Sequence, residues 1–154
     1  IKEACNIIFL GKSGTGKTHL VTALGMEACR IGKKTLFTTA CGLANELVEA
    51  REEKTLSRIL KRYVACDILI IDELGYVPFS KEAAQLLFQV MAERHERKST
   101  IITSNMGFGD WTSIFGDATL TGALLDRVTH KAHIIHCNWE SYRFKEALKK
   151  GKKK

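Results

Sequence analysis

Proline is almost missing from this chain of 154 residues: Pro78 stands alone, and no Ser/Pro-rich stretch or internal repeat interrupts the sequence. A chain without linkers reads as continuous structure, long enough for one compact domain with its own core and too short for two. No CxxC pair occurs among the five cysteines, Cys5, Cys29, Cys41, Cys66 and Cys137, and an odd number cannot all pair within one chain. A disulfide-stapled scaffold is thereby excluded, and the thiols read as reduced, in a cytoplasmic protein. Long hydrophobic runs are lacking too. Stretches such as Ile68 to Ile71 fall far short of the ~20 residues that cross a bilayer, and no charged-then-apolar leader opens the sequence, so neither membrane spanning nor secretion is expected. The first residue is Ile1 rather than Met and a strand-like run starts at Asn6, so a segment preceding this one is expected in the full protein.

With 45% hydrophobic and 27% charged residues the chain is not a disordered tail. Its net charge is +7, but Lys149, Lys150, Lys152, Lys153 and Lys154 supply five of those charges, which leaves +2 for the rest. The division is therefore a mildly basic domain over 1–148 and a basic tail over 149–154. Such a tail is a solvated end, or adds salt-dependent affinity for phosphate wherever the domain docks.

Apolar runs alternate with amphipathic stretches. Ile7 to Leu10 reads as a buried strand, followed by a glycine loop and a helix over Lys17 to Arg30 that ends before Gly32. Thr35 to Thr39 is β-rich, Leu43 to Ala50 and Leu56 to Tyr63 have helical period, and Asp67 to Asp72 is a second buried run. A long helix follows over Lys81 to Arg97, then a strand over Thr100 to Ser104, a helix over Thr119 to Val128 and a last strand over Ala132 to His136. Strands that are apolar throughout and alternate with helices indicate a parallel sheet covered on both faces, an α/β fold.

Between the first strand and the first helix stands Gly11-Lys12-Ser13-Gly14-Thr15-Gly16-Lys17-Thr18, a complete GxxxxGK[ST]. The glycines let successive backbone N–H groups turn inward around phosphate oxygens, and the helix that follows adds its positive end. Lys17 would lie along the β and γ phosphates of ATP, the Thr18 hydroxyl would ligate Mg2+, and His19 extends the binding stretch into the helix. Asp72 and Glu73 close the buried run at Asp67 to Asp72 and emerge at the carboxyl end of the sheet, where ligands of open parallel sheets bind. There Asp72 would hold the magnesium and Glu73 would take a proton from the attacking water. Asn105, at the tip of a strand expected beside the Asp-Glu strand, offers an amide able to bond both the γ-phosphate and that water.

From Gly11 to Arg143 the chain resembles the AAA+ ATPase module of the IstB-like ATP-binding proteins of insertion sequences, relatives of the DnaC-type helicase loaders. The residues carrying this are GKSGTGKTHL, ALGMEAC from Ala23, LIIDELGYVPF from Leu69, LLFQVMAERHERKSTIITSN from Leu86, the W-x-x-IFGD segment at Trp111 to Asp117, LLDRVTHKAHII from Leu124 and ESYR at Glu140 to Arg143. The resemblance implies a P-loop fold of AAA+ type, a three-layer α/β/α sandwich around a parallel sheet. It also implies that Asn105 occupies the sensor 1 position, Arg127 the arginine finger of an oligomer and Arg143 sensor 2. Lys12 and Ser13 stand where the family commonly has prolines, a departure that bears on loop stiffness rather than chemistry.

Arg51, Lys54, Arg58, Lys61 and Arg62 fall on a two-helix insertion where the resemblance implies DNA contact. Glu49, Glu52 and Glu53 interleave with them, the pattern of a solvated mixed-charge face. His130, His133, His136 and Cys137 would not share one face across a helix-to-strand junction, so no metal centre is expected there. Trp111 and Trp139 read as core or interface anchors rather than base-stacking platforms. Three functions follow. The resemblance implies an ATPase that works on DNA with a transposase, or, as the alternative, a loader of a replicative helicase; the P-loop by itself also suits a small-molecule kinase, for which a finger at Arg127 would have no purpose.

Overall fold

A computed structural model describes residues 4–141. Five strands, β1 (Asn6–Leu10), β2 (Thr35–Thr39), β3 (Ile68–Leu74), β4 (Ser99–Ser104) and β5 (Ala132–His136), form one sheet in the order β2-β3-β4-β1-β5. Every neighbouring pair is parallel. The helices are α1 (Lys17–Arg30), α2 (Ala40–Glu52), α3 (Leu56–Ala65), α4 (Lys81–Arg94), α5 (Trp111–Phe115) and α6 (Ala118–Thr129).

Alternate residues of the strands feed two cores. Ile8, Leu10, Leu69, Ile71 and Ile102 face the larger one, built with Leu43 and Leu47 of α2, Leu87 and Val90 of α4, Trp111 and Phe115 of α5, and Leu124 of α6. Phe9, Ile68, Ile70 and Ile101 face the other way, onto Val21 and Ala28 of α1. β3 is therefore buried on both faces, which is why its sequence is a continuous apolar run rather than an alternating one. At Gly25 an added Cβ would come within 2.7 Å of Ile70 Cδ1, so α1 packs directly onto the sheet. The result is the expected three-layer α/β/α arrangement.

Two features depart from the pattern read along the sequence. α4 ends at Arg94, three residues before Arg97, because the Arg94 carbonyl accepts from both Arg97 and Lys98 N–H and Glu96 takes a left-handed φ of 57°. α5 has five residues, too few to show a helical period, and is held by the burial of Trp111, Ile114 and Phe115. No helix among the described residues is long and apolar enough to cross a membrane.

Candidate nucleotide-binding site

Where β1 ends, the chain enters the loop Gly11–Gly16, tied to the sheet on both sides: Gly11 N–H donates to Ser104 O (3.1 Å), and Cys137 N–H donates to Leu10 O (2.6 Å). Gly14 and Gly16 have φ of 82° and 85°, left-handed values that a residue with a Cβ adopts only at a cost. Gly16 is the N-cap of α1 and supplies no side-chain acceptor. By contrast, Thr39, Ser80 and Asp117 cap α2, α4 and α6 with side-chain oxygens. The first N–H groups of α1 are thus left for an external anion.

Lys17 is buried, and its Nζ donates to Gly11 O (2.6 Å), Lys12 O (2.8 Å) and Thr15 Oγ1 (3.4 Å). Burial pushes its ammonium below the ordinary lysine value, against the pull of Cys137, Asp72 and Glu73. A desolvated cation bonded to neutral oxygens, beside an uncapped helix end, fits a polyphosphate, which would supply both the missing charge and the acceptors. Thr18 and His19 follow on the exposed first turn of α1.

Across the sheet, Asp72 is buried and its carboxylate accepts from the Thr103 hydroxyl of β4. The same hydroxyl oxygen accepts the Glu73 N–H at 2.9 Å. Between Ile71 and Leu74 the β3–β4 register gains a residue on β3, and Glu73 sits in that bulge at φ 61°. The bulge turns two consecutive acids to different surroundings, with Asp72 inward and Glu73 out into solvent. Thr103 pins both, a role that sequence reasoning missed. Its only sequence signal is a run of hydroxyl residues in a strand otherwise apolar. Asn105 stands exposed just past β4, which lies beside β3 as expected and has β1 on its other side. The loop, the acid pair and Asn105 therefore gather at the carboxyl ends of three adjacent strands.

Other singled-out residues lie elsewhere. Arg127 is in the last turn of α6, two residues before that helix ends and five before β5 begins, and so sits toward the opposite end of the sheet from its own loop. Its Nη1 donates to Ala123 O (2.7 Å), and the guanidinium lies 5.0 Å over the Phe88 ring. On α2 and α3, Arg51 pairs with Glu82 (3.3 Å) and Arg62 with Glu46 (2.7 Å). Lys54, Arg58 and Lys61 are exposed and have no ion pair among the described residues. His130 pairs with Glu96 (3.1 Å), and no cluster suited to a metal ion occurs among the described residues. Trp111 is fully buried as expected, whereas Trp139 is not core: it is 52% exposed, and its Nε1 donates to Thr15 O of the loop at 2.8 Å. Arg143 and the 149–154 tail lie outside the described residues.

A parallel sheet in this order, with a phosphate-type loop after β1 and an acid pair closing β3, defines a P-loop protein of AAA+ type. The chain belongs to the IstB-like ATP binding protein family, whose pattern matches residues 1–150. It is 47% identical over 141 residues to an insertion sequence IS5376 putative ATP-binding protein of Geobacillus stearothermophilus, covering 92% of this chain and 56% of that one. Its identity to an insertion sequence IS21 putative ATP-binding protein of Pseudomonas aeruginosa is 42% over 151 residues, with 98% of this chain and 57% of that one covered. The chain thus spans little more than half the length of these relatives. Among solved structures, it resembles AMPPCP-bound DnaA from Aquifex aeolicus (TM-score 0.74, 22% identity, 95% of this chain and 44% of that one). The DnaC helicase loader is similar as well (TM-score 0.70, 24% identity, 84% and 77%). At these identities the likeness concerns the fold.

Proposed function

We propose that this chain is the ATP-hydrolysing module of a DNA-associated protein that assists a transposase, working as an oligomer in the cytoplasm. The observation that carries the ATPase part is the gathering of Lys17, the Asp72–Glu73 pair and Asn105 at the ends of three adjacent strands. Lys17 would exchange its carbonyl partners for β- and γ-phosphate oxygens, and the loop N–H groups would hold the rest of the chain of phosphates. Thr18 and Asp72 would hold Mg2+, which neutralises charge on the phosphates when bound. Glu73, solvent-facing and fixed through its own N–H, is placed to accept a proton from water, and Asn105 to orient that water. Arg127 cannot serve its own loop from the far end of α6, which supports a finger acting on a neighbouring subunit. Arg143 is assigned to the γ-phosphate by family resemblance.

The transposase as partner rests on the insertion sequence relatives, and DNA contact through Lys54, Arg58 and Lys61 on their exposed, unpaired charges. The cysteines, all free, suit a reducing compartment. Electron micrographs with ATP, with and without duplex DNA, test the assembly: rings or filaments on duplex are expected. A uniform monomer whose nucleotide turnover depends on a small acceptor would replace this function with a kinase.

A further inference from the structure

Past β5, the chain doubles along the phosphate loop. Cys137 is buried under Gly11, where an added Cβ would stand 2.3 Å from the Cys137 carbonyl oxygen. Ser141 covers Gly14, where a Cβ would meet its Oγ at 2.1 Å. Between these contacts Trp139 reaches the loop with its one polar atom, the Nε1–H bonded to Thr15 O at 2.8 Å, while 52% of the residue stays open to solvent. An indole is normally buried or has its apolar surface covered. Here its edge is anchored to the loop backbone and much of the ring is left uncovered.

The sheet order decides what could cover it. β1, which leads into the loop, has β4 on one side and β5 on the other. Beyond the loop itself, the described groups suited to the γ-phosphate and its attacking water, Asp72, Glu73 and Asn105, lie on the β3–β4 side. A triphosphate laid in the loop with its γ end toward them must lead its nucleoside away, toward the β5 side, where Cys137–Ser141 run. We infer that Trp139 is the platform on which the nucleotide base stacks, so that the segment after β5 selects nucleotides over bare polyphosphate.

This inference rests on the loop being a nucleotide site, and the experiment separates the two. Titration calorimetry of this chain would compare MgATP, MgADP and magnesium tripolyphosphate against the parent, Trp139→Leu, Trp139→Phe and Lys17→Ala. Trp139→Leu should weaken ATP and ADP about tenfold, within the range of aromatic–base stacking, and leave tripolyphosphate within about twofold. Trp139→Phe, which keeps a ring but loses the N–H, should recover most of the ATP-over-tripolyphosphate preference. In the parent, ATP should change tryptophan emission, and the change should vanish in Trp139→Phe, where Trp111 alone remains. Equal weakening of ATP and tripolyphosphate by Trp139→Leu would make Trp139 a brace for the loop and overturn the proposal, as would unaltered ATP affinity. A parent that binds no ATP, or a Lys17→Ala that binds it fully, would instead remove the nucleotide site itself and the base platform with it.

Discussion

Thr103 illustrates how much of this site is decided by single atoms. Its hydroxyl donates to the Asp72 carboxylate and accepts the Glu73 N–H, so one oxygen sets both acids across the β3 bulge. Thr103→Val keeps the volume and removes both bonds. ATP hydrolysis should fall about tenfold or more, the worth of a hydrogen bond to a charged group, while ATP affinity stays within about threefold. Lys17→Ala should lose ATP binding altogether, because its charge serves ground and transition states alike, whereas Glu73→Gln should bind ATP and fail to release phosphate. Nucleotide affinity and phosphate release, measured on all three variants, separate holding the phosphates from activating water. Parental turnover in Glu73→Gln would end the assignment of the base. The loop and the Asp72–Glu73 pair were legible in the sequence because each is a contiguous pattern: residue types fixed over eight consecutive positions for the loop, and two acids closing a continuous apolar run for the pair. Thr103 was not, because its partners lie about thirty residues away on another strand.

At the scale of elements, one buried side chain joins three of them and the turn into a fourth. Arg94, at the end of α4, donates from Nε to Thr100 Oγ1 (3.1 Å), from Nη1 to Tyr63 O (2.7 Å) and Cys66 O (2.9 Å), and from Nη2 to Ser99 O. The carbonyls belong to the end of α3, the turn into β3 and the start of β4. Arg94→Leu would leave them buried without this donor and should lower unfolding stability by about 3 kcal/mol or more, read as a shift of the urea midpoint at unchanged m-value. Arg94→Lys should recover less than half, since one ammonium cannot span a fork of carbonyls. A midpoint for Arg94→Leu equal to the parent's would show that these carbonyls are served by water. The helical period of Lys81 to Arg97 showed that α4 exists. Its end at Arg94 is made by the turn that returns Arg97 and Lys98 N–H to the Arg94 carbonyl, and the Arg94 side-chain knot beside it joins residues that no local pattern brings together.

At the scale of the whole molecule, Arg127 lies toward the end of the sheet opposite the phosphate loop. If it completes a neighbour's site, Arg127→Ala should bind ATP and hydrolyse it on the order of a thousandfold more slowly. Mixed with Glu73→Gln, which keeps its finger but lacks the base, it should regain turnover above that of either variant alone, because some interfaces then pair an intact finger with an intact base. A mixture shown to co-assemble yet inactive at every ratio would make Arg127 a structural residue of α6, held by Ala123 O and the Phe88 ring.

By itself, the sequence determined the class of fold, the five strands and most helices, and the loop and acid pair, since apolar period and contiguous motifs are local properties of the chain. Tertiary structure alone decided the strand order that gathers three loops at one end of the sheet. It also decided the bulge that parts Asp72 from Glu73, the pairing of Arg51 and Arg62 with carboxylates, and the seat of Trp139 on the loop. Each of these joins residues apart in sequence, through a hydrogen bond, an ion pair or a packing contact that exists only once strands and helices have come together.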